Sequence, residues 1–298
     1  MKTGQTYRSI VEQTVSPARS PSELAAVHKV QLEQLGPRSV PKVLILGGTS
    51  EAYELATFLT TRSELITISS LAGEVTHPRL PPGMVRVGGF GGVDGLISYL
   101  AQQDIAAVID ATHPFAVQIS SNAEAACRRL AVPLIALDRK PWVRTEGDLW
   151  HDVADFDSAA DLVDRPGASV FLSIGRRDLP AFANCRSATF LIRSIEAPIP
   201  PLPPHHRLIL ARGPFGVEEE LRVLESNAIN FLVTKNSGGH ATYAKIDAAR
   251  TLWIPVVMIA RPRKHTVPTI NSIDEVWTEL KPLLRTCSGT PAQCGTAL

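Results

Sequence analysis

From Lys42 onward, short apolar runs alternate with longer segments whose apolar residues recur at helical spacing. The clearest junction is Lys42 to Ala52, Lys-Val-Leu-Ile-Leu-Gly-Gly-Thr-Ser-Glu-Ala, where an apolar run meets two glycines and then the stripe Ala52, Leu55, Ala56, Leu59. That order predicts strand, tight turn and helix with no spacer. The grammar repeats, with strands predicted at 65–69, 85–87, 106–110 and 133–137. Helices are predicted between them at 94–103 and 115–130, the second amphipathic through Val117, Ala123, Ala126 and Leu130. Strands alternating with helices predict a parallel sheet covered on both faces.

Asp138 to Asp152 breaks this rhythm with Pro141, Trp142, Gly147 and mixed charges, and is expected to mark a domain boundary. A second series follows, with strands predicted at 170–174, 189–192, 207–210, 230–233 and 255–259 and helices at 179–183, 216–226 and 241–252. Pro198 to Pro204 reads as an extended connection, and 273–284 as a last helix interrupted at Pro282. The expected fold class is therefore α/β: two Rossmann-like three-layer domains with parallel sheets and an interdomain cleft. The expected division is an N-terminal extension at 1–39, domains at 40–145 and 146–285, and a flexible tail at 286–298. Within the extension, Ser20-Pro-Ser-Glu23 followed by Leu24, Val27 and Val30 hints at one capped helix.

Composition narrows the function. The chain has 298 residues, a length that suits about two domains, and a formal net charge of +1. That charge argues against general nucleic-acid binding, so any anion must be met locally. Cys127, Cys185, Cys287 and Cys294 form no Cys-x-x-Cys pair and no zinc spacing, which favours reduced thiols in a cytoplasmic protein. Neither a run of roughly 18 apolar residues nor a signal-peptide core is present, so no membrane partner is expected. A monomer or weak homo-oligomer is expected.

In parallel α/β sheets ligands collect outside the carboxyl ends of the strands. In the first series those ends read Gly47-Gly48-Thr49-Ser50, Ser69-Ser70-Leu71-Ala72-Gly73, Gly88-Gly89-Phe90-Gly91-Gly92 and Ala111-Thr112-His113-Pro114-Phe115. A rim of glycines and hydroxyls suits a dinucleotide approached closely by backbone, its phosphate held by helix N–H groups. The spacing is not Gly-x-Gly-x-x-Gly, and a tight turn that merely closes the βα unit stays open as a reading. The second strand ends in Thr67, Ser69 and Ser70 where an NAD enzyme places a carboxylate for the ribose, which favours NADPH.

The second series ends its strands in Gly175-Arg176-Arg177, Arg193-Ser194, Ala211-Arg212-Gly213, Thr234-Lys235-Asn236-Ser237-Gly238-Gly239 and Ala260-Arg261-Pro262-Arg263. Each strand delivers a basic residue to the same rim, which points to a ligand with several carboxylates or phosphates. His113 reads either as a proton donor or cofactor contact, or as a structural hydrogen bond. Asp110 reads as a cap or orienter of the next loop. Lys245 borders the stripe Ala241, Ala244, Ala248, Leu252 and reaches either the cleft or water. Glu218, Glu219 and Glu220 fall in a helix first turn and are read as serving the helix dipole. His205-His206 lacks further ligands, so no metal is expected. With no P-loop, no Gly-x-Ser-x-Gly and no Tyr/Lys dyad, a bound cofactor must do most of the chemistry.

Taken together, 45–52, Ser-Leu-Ala-Gly (70–73), Gly-Gly-Phe-Gly-Gly (88–92), Asp-Ala-Thr-His-Pro-Phe-Ala (110–116), Arg-Gly-Pro-Phe (212–215), Thr-Lys-Asn-Ser-Gly-Gly (234–239) and Ile-Pro-Val-Val-Met-Ile-Ala-Arg-Pro (254–262) resemble the precorrin-6A reductases of cobalamin synthesis. The resemblance runs in order from about residue 42 to 262. It implies two Rossmann-like domains and NADPH-dependent reduction of the C18–C19 double bond of precorrin-6A to precorrin-6B. It also accounts for the basic rim, because that macrocycle carries many acetate and propionate carboxylates. It implies that Gly47, Gly48, Thr49, Ser50, Ser70, Leu71, Ala72, Gly73, Gly89, Phe90, Thr112 and His113 meet the cofactor, with Asn236, Ser237 and Gly238 opposite. Substrate contacts are expected from Arg176, Arg177, Arg193, Arg212, Lys235, Lys245 and Arg261, and His113 and Lys245 are the catalytic candidates. The wall that holds the 2′-phosphate stays open. A reductase of the cobalt-containing ring and a non-catalytic dinucleotide-binding module are the alternative readings.

Overall fold

The computed structural model describes residues 40–264 and 266–286. The expectations for 1–39 and for the tail after 286 lie outside the described residues. Both sheets belong to one compact unit that begins at Val40.

The first sheet has six strands in the order β12-β5-β4-β1-β2-β3. These are β1 (Lys42–Leu46), β2 (Ile66–Leu71), β3 (Met84–Val87), β4 (Ile105–Asp110), β5 (Leu134–Leu137) and β12 (Thr269–Ile270). The second runs β6-β11-β10-β7-β8-β9, from β6 (Trp150–Val153), β7 (Ser169–Ser173), β8 (Thr189–Ser194), β9 (His206–Leu210), β10 (Phe231–Lys235) and β11 (Val256–Ile259). Every pairing is parallel. Strand order reverses between β1 and β4 in the first sheet and between β7 and β10 in the second, so each has a switch point at its carboxyl edge.

Central strands are apolar on both faces because both are covered. In the first sheet, α1 (Ser50–Thr60) places Ala52, Leu55, Ala56 and Leu59 on one face with Val276, Leu280 and Leu284 of α7 (Ile273–Thr286). Leu96 and Leu100 of α2 (Gly92–Gln103) and Ala123, Ala126 and Cys127 of α3 (Val117–Leu130) cover the other. In the second sheet, α4 (Phe156–Val163) and a 3-10 segment at Arg176–Phe182 cover one face. Leu224 of α5 (Val217–Ser226) and Ile246, Ala248 and Ala249 of α6 (Ala244–Thr251) cover the other.

The sequence places everything from 146 to 285 with the second series. Instead the chain leaves β11, returns along 260–268 and adds β12 to the edge of the first sheet, Thr269 opposite Ala136 and Ile270 opposite Leu137. The helix α7 packs there as well, its Trp277 edge-on to Phe58 of α1 at 6.3 Å. An amphipathic stripe announces the helix but not which sheet it covers. Pro282 lies inside α7 without ending it. Two connections, 138–149 and 260–268, thus join the lobes.

Candidate functional site

The carboxyl edges of the two sheets face each other. On the first, Gly47 donates its N–H to Ser70 O at 2.9 Å, tying the turn after β1 to the end of β2. Gly48 has φ +107, and a Cβ there would meet nothing within 4 Å. Thr49 accepts the Ala52 N–H at 3.1 Å as the N-cap of α1 and donates to Ala111 O at 2.8 Å, which locks the turn across the switch point. The backbone at Gly88, Gly89, Gly91 and Gly92 also faces open space.

At the end of β4, Asp110 is fully buried and does orient its loop, Oδ1 accepting the Thr112 N–H at 2.9 Å and hydroxyl at 2.6 Å. Lys264, from the returning connection, donates to Thr112 O at 3.0 Å and stands 3.6 Å from Asp110 Oδ1. The loop thus presents His113 to the other lobe. His113 Nδ1 accepts the Phe115 N–H at 3.2 Å, so the ring proton sits on Nε2, 3.0 Å from Ser237 Oγ. Burial first, then the charges of Lys235, Arg139, Lys264 and Arg261, push His113 down to about 2. It is a neutral bridge.

Across the gap, the Asn236 amide is engaged with Trp142 main chain, Oδ1 accepting the N–H at 2.8 Å and Nδ2 donating to O at 3.1 Å. Ser237 O accepts from Arg139 Nε at 2.7 Å and Arg261 Nη2 at 2.8 Å. Arg139 also pairs with Glu51, in the first turn of α1, at 2.8 Å. Gly238, φ +66, lies so close to Lys140 O and Arg261 that a Cβ would collide with both. Between the turns at Thr49, Thr112 and Arg139 remains a cavity of about 10 Å³, room for roughly one water.

The basic residues at these strand ends are held by partners within the protein. Arg193 and Glu220 form a buried bidentate pair at 2.7 and 2.9 Å, with Phe215 stacked 3.8 Å from the guanidinium. Glu220 does lie in the first turn of α5, and there it also neutralises Arg193. Lys235 pairs with Asp178 at 2.9 Å, Arg176 with Glu196 at 3.3 Å and Arg177 with Glu74 of the first lobe. Arg212 donates to His77 O at 2.8 Å, and Arg261 to the carbonyls of Asn236, Ser237 and Arg139. Lys245 differs. It is 3 % exposed, has neither a hydrogen bond nor a carboxylate partner among the described residues, and lies 5.3 Å from the Trp142 ring. Burial first, then Arg193, lowers it to about 7.

Sequence reasoning missed Arg86, Arg139, Trp142, Asp178 and Lys264. Arg139 is the second residue after β5 and was within reach of the strand-end rule. Lys264 gave no local signal, because its partners lie in the other lobe. Among the described residues, no group of three or more His, Cys, Asp or Glu could hold a metal ion, and no helix is long and apolar enough to cross a membrane.

Comparison with known proteins places this arrangement. The family described as "Precorrin-6x reductase CbiJ/CobK" matches residues 42–281. A precorrin-6A reductase of Rhodococcus erythropolis is 48% identical over 235 residues, 79% of this chain and 94% of the relative. A cobalt-precorrin-6A reductase of Priestia megaterium is 24% identical over 246 residues, 78% of this chain and 96% of that one. A solved structure titled "CobK precorrin-6A reductase" superposes with a TM-score of 0.77 at 40% identity, covering 82% of this chain and 97% of that one.

Proposed function

Because the chain belongs to the precorrin-6x reductase family, we propose that it reduces the C18–C19 double bond of precorrin-6A with NADPH, giving precorrin-6B in cobalamin synthesis. The observation that carries this reading is the pair of facing edges, one of open glycines and hydroxyls, the other rich in arginine and lysine. The backbone fits a dinucleotide, since Gly48 and Gly89 leave room for close approach and Gly47 to Ser50 lead into a helix N-terminus. Gly47, Gly48, Thr49 and Ser50 would hold its phosphates, Ser70 to Gly73 with Gly89 and Phe90 its adenosine half, and Thr112 and His113 its reactive end. Asn236, Ser237 and Gly238 would close the far side through main chain.

When bound, the cofactor supplies the hydride. This chain's residues supply position and charge. Arg176, Arg177, Arg212 and Lys235 would meet ring carboxylates by exchanging their present partners, while Arg193 and Arg261 brace the wall from behind. His113 is held neutral and gives its Nε2 proton to a hydrogen bond, so it orients rather than protonates. The proton that completes the reduction comes from water or from Lys245, the one candidate that exchanges protons near neutrality.

The test is absorbance at the NADPH band on mixing the protein with precorrin-6A, with mass spectrometry of the ring. Loss of the band and a product two hydrogens heavier is the expected result. Cofactor binding without oxidation by metal-free or cobalt-containing ring would favour the non-catalytic module and overturn the reading.

A further inference from the structure

Arg86 stands apart from the other arginines of the rims. It lies in β3 directly beside Ser70 of β2, the two being register partners. Its Nη1 donates to Ser70 Oγ and to Gly88 O, both at 2.8 Å, and Nη2 to Gly89 O at 3.0 Å. The guanidinium lies 3.8 Å from the centre of the Phe90 ring, which meets Tyr99 edge-on. Arg139, Arg176, Arg177, Arg193 and Arg261 each pair with a carboxylate. Arg86 pairs with none among the described residues. Its bonds go to neutral oxygens, which fix the plane of the group and leave its charge and two of its five N–H donors uncommitted. Burial lowers its pKa, as expected of a cation without a countercharge.

Position gives this charge a meaning. The turn after β1, Ser70 at the end of β2 and Arg86 on β3 sit on three adjacent strands, spanning about 10 Å at the usual strand spacing. In a doubly wound sheet the pyrophosphate lies at the first turn and the adenosine ribose at the end of the second strand. That strand here ends Ser69-Ser70-Leu71, with no carboxylate to bind a free 2′-hydroxyl. Beside it the backbone at Gly88, Gly89, Gly91 and Gly92 is open to space. We infer that Arg86, pre-set by Ser70 and stacked on Phe90, pairs with the 2′-phosphate of the cofactor and is the residue that selects NADPH over NADH. The inference rests on the cofactor reading given above, and it places the 2′-phosphate on the first lobe.

Calorimetric titration with 2′,5′-ADP and with 5′-AMP tests it without substrate. The wild-type protein should bind 2′,5′-ADP more tightly. Arg86→Ala and Arg86→Gln should each weaken 2′,5′-ADP roughly 10- to 100-fold, as loss of a charge-assisted hydrogen-bonded pair does. Binding of 5′-AMP should change less than about threefold. Arg86→Gln keeps a donor toward Ser70, so it decides the matter if the alanine variant does not fold. Preference retained in the glutamine variant would overturn the assignment while leaving the NADPH reading intact. Equal weakening of both nucleotides would make Arg86 structural only and would likewise overturn it. A wild-type protein blind to the 2′-phosphate would overturn the NADPH reading itself.

Discussion

His113 Nε2 stands 3.0 Å from Ser237 Oγ, joining the end of β4 in one sheet to the end of β10 in the other. Because Phe115 N–H occupies Nδ1, the imidazole can only donate at Nε2, and burial keeps it from taking a second proton. The expected kinetic result is that any inflection of the kcat profile near neutrality belongs to Lys245 and persists in His113→Gln. His113→Gln, which keeps a donor, should retain most turnover, whereas His113→Ala should not. An inflection near 6.5 that disappears in the glutamine variant would show that the ring titrates during turnover.

The same residue shapes acid stability. The unfolded histidine takes a proton near 6.5 and the folded one only near 2, so the unfolded state binds more protons between those values. Stability should therefore fall as pH drops below 6.5, this group contributing about 1.4 kcal/mol per pH unit. In urea melts between pH 7 and 5, His113→Gln should show a shallower decline than wild type.

Lys245 carries the opposite consequence for engineering. Its folded pKa of about 7 lies below the ordinary 10.5, so the unfolded state binds the extra proton between those values and stability rises with pH across that window. Lys245→Met removes a buried cation that has no acceptor among the described residues and should stabilise the protein by about 1–3 kcal/mol at pH 6–7. The gain should vanish as pH approaches 10.5. Thermal melts across that range check the sign, and parallel turnover measurements ask whether the amine supplies the proton.

Arg193 and Glu220 are both nearly inaccessible, at 8% and 2% side-chain exposure, so they stand or fall together. Arg193→Met or Glu220→Gln alone should cost about 3–5 kcal/mol, because each strands a buried partner. The double variant Arg193→Met with Glu220→Met should recover much of that loss. Recovery in denaturant melts would establish the pair as part of the frame. Independent, additive losses would point to separate roles.

These cases also show what the chain displays in its own order. Core strands such as Lys42–Leu46 and the stripe of α1 are legible because burial on both faces demands unbroken apolar runs and helical periodicity. The edge strands β6, Trp-His-Asp-Val, and β12, Thr-Ile, carry no such run, since a neighbour's ladder rather than a covered face holds them. The helix α4 is absent from the sequence expectation, although Asp155 capping the Ser158 N–H offered a signal. Basic residues at the strand ends were readable as a set, but their carboxylate partners were not. Glu74 and Arg177 are distant in sequence and meet only when the lobes face each other. Arg86 was hidden for a different reason, lying within β3 and mattering only through its register with Ser70.

Two glycines, both at positive φ, separate local strain from contact between the lobes. Gly91 has φ +80 and faces open space, so Gly91→Ala should cost only the left-handed penalty, about 1–2 kcal/mol. Gly238 has φ +66, but its Cβ would run into Lys140 O and Arg261 Nη2. Lys140 lies on the outgoing connection between the lobes and Arg261 on the returning one, so the collision bears on both at once. Arg261 would have to release the carbonyls of Asn236 and Ser237 that it now holds. Gly238→Ala should therefore destabilise beyond Gly91→Ala and raise amide exchange at 138–142 and 260–262, while α1 and α2 stay protected. Equal melting temperatures for the two variants, with unchanged exchange at the connections, would mean that the backbone at Gly238 shifts without disturbing the contact between the lobes.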